Sequence, residues 1–171
     1  MKKMLAALIL LAVCAGTGFA QETRKGYYAL ELSAFEYFYI NVGVKLGTEK
    51  VYGNIIFCYD PRESFSPQNF GVGAGIGTIS YLIGSVLFFN PEFNAFLMNP
   101  GPNNQQLICL IASLGVNLSK NLSLTAGPSL TWSWNYGSDP LRKPAYSLAK
   151  WAIDSDSDVL IGARATLRYR F

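Results

Sequence analysis

Residues 161–171 read IGARATLRYRF. Ile161, Ala163, Ala165, Leu167, Tyr169 and Phe171 fall on one face of an extended chain, and Gly162, Arg164, Thr166, Arg168 and Arg170 fall on the other. That period of two fits a strand and no helix. Residues 122–135 repeat it: Leu122, Leu124, Ala126, Pro128, Leu130, Trp132 and Trp134 alternate with Ser123, Thr125, Gly127, Ser129, Thr131, Ser133 and Asn135. A strand of that length is more than twice the usual soluble one of about 5–6 residues.

Working outward, Phe38, Ile40, Val42, Val44 and Leu46 alternate with Tyr39, Asn41, Gly43 and Lys45, and Phe70, Val72, Ala74 and Ile76 with Gly71, Gly73, Gly75 and Gly77. Residues 26–35 set Tyr28, Leu30 and Leu32 against Tyr27, Ala29, Glu31 and Ser33. Residues 51–59, 81–89 and 106–118 are apolar on both faces and read as strands from their β-branched and aromatic content. The expectation is eight strands, with a bulge at Pro128. Turns near 35–37, 47–50, 78–81 and 119–121 are short, whereas the connections 60–69, 90–105 and 137–157 are long and rich in Pro, Asn, Ser or Asp. This is the rhythm of an antiparallel meander.

A strand with one greasy and one polar face suits a soluble barrel with its apolar side inward, or a membrane barrel with its apolar side outward. In the second case Tyr169 and Phe171 sit in an aromatic girdle, and Arg164, Arg168 and Arg170 point into the lumen and need a carboxylate. Glu31 lies on the polar face of the first strand, which pairs with the last when the barrel closes, so a lumen ion-pair network of Glu31 with Arg164, Arg168 and Arg170 is expected. The alternative is a soluble sheet with solvated charges.

The chain of 171 residues supports one domain. Residues 1–20, MKKMLAALILLAVCAGTGFA, have two lysines, an apolar run and small residues before Ala20, which is the pattern of a cleaved signal peptide. Residues 21–171 are then the barrel. Val13 before Cys14 stands where a lipidation site wants a small residue, which argues against lipidation there. Of 14 basic residues, Lys2 and Lys3 leave with the leader, so 12 face 11 acidic ones, a balance that gives no basic face for nucleic acid. Cys58 and Cys109 lie on strands that are not neighbours, which argues against a bond between them.

The leader, the roughly 150 residues that follow it, the alternating strands and the short turns at one end together resemble the small eight-stranded outer-membrane barrels of diderm bacteria, the OmpA/OmpX/OmpW-like group. The resemblance implies an all-β, eight-stranded antiparallel up-and-down transmembrane β-barrel with short periplasmic turns and longer extracellular loops, in the cell outer membrane. It also implies that Phe171, Tyr169 and Leu167 act as an assembly signal read by the barrel-assembly machinery, with outer-membrane lipid as the surrounding partner. The architecture covers the whole exported chain, but only the last strand carries a sharp match.

No histidine occurs anywhere, which removes Ser–His and His–Asp chemistry and the commonest metal ligand. Asp154, Asp156 and Asp158 lie in one DSDSD stretch without an apolar pocket, and read as a solvated loop rather than an acid–base pair or a Ca²⁺ site. The glycines of GVGAGIG match no phosphate loop, since no helix follows. An enzyme, a cofactor and a metal are therefore not expected. Trp132, Trp134 and Tyr136 read as an interfacial aromatic belt. Phe93, Phe96, Leu97 and Met98, with Trp151 from the last loop, read as an apolar loop patch that could cover the barrel mouth, enter the outer leaflet or touch a ligand. Two functions stay open. One is a narrow porin-like channel for small hydrophobic solutes, lined by Leu87, Leu107 or Ile111. The other is a plugged, non-conducting barrel with a structural or adhesin-like role, meeting a surface ligand through its loops.

Overall fold

The computed structural model describes residues 26–35, 38–48, 50–59, 70–98, 104–136, 147–154 and 156–171. The signal segment 1–20 lies outside the described residues. The strands are β1 (Tyr27–Phe35), β2 (Phe38–Gly47), β3 (Tyr52–Tyr59), β4 (Phe70–Gly77), β5 (Ser80–Ile83), β6 (Leu87–Met98), β7 (Asn104–Asn117), β8 (Leu122–Tyr136), β9 (Ala149–Ala152) and β10 (Ser157–Arg170). Eight of them close into an antiparallel up-and-down barrel in the order β1-β2-β3-β4-β6-β7-β8-β10, with β10 returning to β1 from Ala29↔Arg170 to Ala34↔Ala165.

The registers fix the stagger of the wall. Starting at Glu31, the partners run through Gly43, Ile56, Gly73, Phe96, Leu107 and Ser133 to Asp158, ten residues before Arg168, the residue that Glu31 itself faces on β10. A shift of that size goes with strands inclined by about 35–45° to the barrel axis, and an eight-stranded barrel is just wide enough for side chains to fill it.

The alternation of the sequence becomes inside and outside. Leu30, Val44, Ile55, Leu110, Leu124 and Leu167 point out, and Phe57 and Leu114 are 62% and 55% exposed. Glu31, Lys45, Arg164 and Arg168 point in, and their exposures of 1%, 0%, 4% and 2% leave no doubt about which face is which. A water-soluble barrel would carry the opposite arrangement.

The fifth barrel strand differs from the expected 81–89. It is β6, Leu87–Met98, and the expected long loop 90–105 is mostly wall. Phe93, Phe96, Leu97 and Met98 are consequently strand residues: Phe96 and Met98 are buried inside, and Phe93 and Leu97 are half-buried on the outer face. Pro91 is accommodated at a place where the neighbouring ladder is already broken. Gly77↔Glu92 and Ser80↔Phe89 keep one register, so β4 and β5 are one line interrupted at Thr78–Ile79, opposite the proline. The Thr78 N–H donates to the Pro91 carbonyl (3.2 Å), and the Asn90 side-chain amide donates to the Thr78 carbonyl (2.8 Å), supplying the donor that proline lacks.

The bulge expected at Pro128 is absent. Ala163↔Pro128 is regular on the β10 side, and on the β7 side the pairing lapses between Ile111↔Ser129 and Leu114↔Ala126 without a change of register. Gly127 is what lets the strands stay in line, since a Cβ there would lie 2.1 Å from the Ala112 carbonyl oxygen. Trp151 is also in a strand rather than a loop. β9 pairs with β10 beyond the end of β1, and Trp151 and Trp132 face Val159 from its two sides.

Candidate functional site

The interior is the only chemically dense region among the described residues, and it is built in three layers. Nearest the chain ends, where the turns are short, Tyr27, Ala29, Tyr52, Ile79 and Phe88 form an apolar layer. Towards the long connections, Phe35, Ile56, Cys58, Phe96, Met98, Leu107, Cys109, Ile111 and Leu160 form another. Between them lies an ionic layer of Glu31, Lys45, Glu92, Arg164 and Arg168.

Arg164 Nη2 is 2.7 Å from Glu31 Oε1, and Nη1 is 3.4 Å from Glu92 Oε2. Lys45 Nζ lies 3.0 Å from Glu31 Oε2 and also pairs with Glu92. Arg168 Nη2 stands further off, 3.5 Å from Glu92 and 3.9 Å from Glu31. Neutral groups complete the layer. The Tyr52 hydroxyl donates to Glu92 Oε1 (2.8 Å), the Asn94 amide donates to Glu92 Oε2 (3.3 Å), the Asn54 amide donates to Asn94 Oδ1 (2.9 Å), and Arg164 donates to Ser33 Oγ (3.1 Å). Both carboxylates are thus shared by more than one cation, which is the condition for keeping charges in a low-dielectric interior.

Glycines give these side chains their room. A Cβ at Gly43 would lie 2.9 Å from Glu31 Cγ, one at Gly77 would lie 2.4 Å from the Tyr52 hydroxyl, and one at Gly73 would lie 2.3 Å from the Phe96 ring. The four inward glycines of β4 are therefore a bare strip of wall against which β3 and β6 lay their side chains. Phe96 lies on that strip and stacks on Phe35 at 5.1 Å between ring centroids.

Of the residues expected in the lumen network, Glu31, Arg164 and Arg168 are brought together. Arg170 is half-buried nearer the mouth, with its guanidinium 5.6 Å from the Tyr27 ring centroid. Lys45 and Glu92 belong to the network and were not anticipated. Lys45 was already visible on the polar face of β2, whereas Glu92 was hidden by the reading of residues 90–105 as a loop. Leu107 and Ile111 point inward but are packed in the apolar layer, and Leu87 faces outward beside Val116.

Phe171 and Tyr169 pack edge to face at 5.3 Å on the outer surface, and the Phe171 N–H donates to the Tyr28 carbonyl (3.0 Å). Trp132 and Trp134 form an edge-to-face pair at 5.9 Å towards the long-connection end. The Tyr136 side chain lies outside the described residues. The acidic stretch does not converge: Asp154 accepts from the Asp156 N–H (2.9 Å) and the Ser157 hydroxyl (2.8 Å), which holds its carboxyl below the usual range, while Asp158 is buried against Lys150 at 2.7 Å. Among the described residues, no group of three His, Cys, Asp or Glu could hold a metal ion. Cys58 and Cys109 are buried and not joined by a disulfide, and the Thr131 hydroxyl donates to Cys109 Sγ (3.1 Å).

No family model matches the chain, and no curated protein matches it. Among solved structures, the crystal structure of Neisserial surface protein A (NspA) is similar, at 10% identity and a TM-score of 0.45, over 85% of this chain and 97% of that one. The likeness is too distant to carry an activity across.

Proposed function

We propose that the protein is an integral outer-membrane barrel with a closed interior, serving as a structural or surface-interaction protein through its long-connection end. Membrane insertion is supported by the inverted faces of the wall, with leucine, valine and phenylalanine outside and the ionic layer inside. The chain then has outer-membrane lipid around it, and the outward Leu167, Tyr169 and Phe171 are the residues offered to the barrel-assembly machinery. The single observation that favours a closed barrel over a channel for hydrophobic solutes is the filled cross-section: an ionic layer capped above and below by packed apolar side chains. The reading assigns no enzymatic step, cofactor or metal.

Reconstitution of the refolded chain in planar bilayers is the test. The expected result is a silent membrane and no flux of small solutes, and steady unitary openings would sink the closed reading. The membrane reading has its own test. Unboiled protein should migrate differently from boiled protein on gels and fractionate with outer membranes, and recovery as a soluble periplasmic protein would overturn it.

A further inference from the structure

The ionic layer does not balance. Its buried side chains are three cations, Lys45, Arg164 and Arg168, and two carboxylates, Glu31 and Glu92. The deficit falls on Arg168. Lys45 and Arg164 each reach Glu31 within 3.0 Å, while Arg168 comes no closer than 3.5 Å to any carboxylate oxygen among the described residues. Its contacts with Glu31, Glu92 and Asn90 Oδ1 all run through Nη2, and its Nε–H is buried with no partner. A guanidinium cannot relieve this by losing its proton. Next to it, at the chain-end mouth, lies a cavity of about 30 Å³ lined by Tyr27, Lys120, Asn121, Ser123, Arg168 and Arg170 among others, with no carboxylate among the described lining residues.

We propose that this mouth binds one small monovalent inorganic anion beside Arg168. An anion there accepts from the Arg168 Nε–H and cancels the surplus charge of the layer, which a water molecule does not do. The charge sets the class. A surplus of one positive charge asks for one negative charge, which suits a monovalent ion such as chloride or bromide. Lys120 at the exposed rim and the half-buried Arg170 attract the ion from the aqueous side.

Bromide is the probe, used with the full chain refolded in detergent. Crystals grown in sodium bromide should show an anomalous peak in the cavity against Arg168, and bromide line broadening in solution should be displaced by chloride but not by sulfate at equal ionic strength. Arg168→Gln should weaken bromide binding about tenfold, the size of one charge-assisted hydrogen bond. Lys120→Gln changes only the exposed rim, so it keeps the test open should the first variant fail to refold, and it should weaken binding severalfold. Anomalous peaks only outside the cavity, equal broadening in wild type and Lys120→Gln, or displacement by sulfate as effective as by chloride would each overturn the proposal.

Discussion

Glu92→Ala is expected to cost about 3–5 kcal/mol of the stability of the refolded barrel, because it leaves three buried cations facing the single carboxylate of Glu31. The loss is larger than a lost surface ion pair would produce, since Glu92 also accepts from Tyr52 and Asn94, whose donors would be stranded. Urea unfolding in detergent, followed by tryptophan fluorescence, measures it. Adding Lys45→Met to the same chain should recover more than half of the loss, because Lys45 is the fully buried cation that the substitution strands first. A single-variant loss below about 1 kcal/mol would mean that water already penetrates and screens the layer, contrary to its burial.

Gly75→Ala should be the second large effect. The added Cβ would stand 2.0 Å from Asn94 Oδ1 and 2.3 Å from the Phe93 carbonyl oxygen. Asn94 is held by its hydrogen bonds with Asn54 and Glu92, and the Phe93 carbonyl belongs to β6, the strand paired with β4 at Asn94↔Gly75 and Phe93↔Ile76, so neither can give way without moving the ladder. A destabilisation of about 1–3 kcal/mol or more follows from overpacking of this kind. Gly53→Ala is the matched control. It sits in the neighbouring strand, and its nearest contacts are 3.9 Å away, so a change within about 0.5 kcal/mol is expected. Equal effects at the two positions would show that strand propensity, and not the interior packing against β4, controls tolerance to side chains here.

The two longest alternating stretches, 122–135 and 161–171, disclose the architecture because each face has one kind of neighbour throughout, and the pairing of Glu31 with β10 follows once the ends of the sheet meet. Residues 87–98 were harder. Pro91 and the surrounding asparagines imitate a loop, and the outward Leu87, Phe89, Phe93 and Leu97 are followed on the inner face by Phe96 and Met98, so the two faces do not separate by hydropathy there. The signal that was available is polar, not apolar: Asn90, Glu92 and Asn94 recur at every second position. Lys45 and Glu92 could not be matched from sequence for a different reason. They meet across the lumen, 47 residues apart and on strands that are not adjacent, and no local pattern records such a contact.

The interruption opposite Pro91 also divides the wall into parts of unequal persistence. Beyond Gly77, β3 no longer accompanies the line, so β5 is bonded along one edge only, to β6, and the break at Thr78 is bridged by one backbone and one side-chain hydrogen bond. Segments held on a single edge open locally at a fraction of the global free energy. In deuterium, the amides of Ser80–Ile83 should therefore exchange well ahead of those of β7 and β8, each bonded along both edges, so that the hairpin tip breathes as its own unit on a barrel that stays shut.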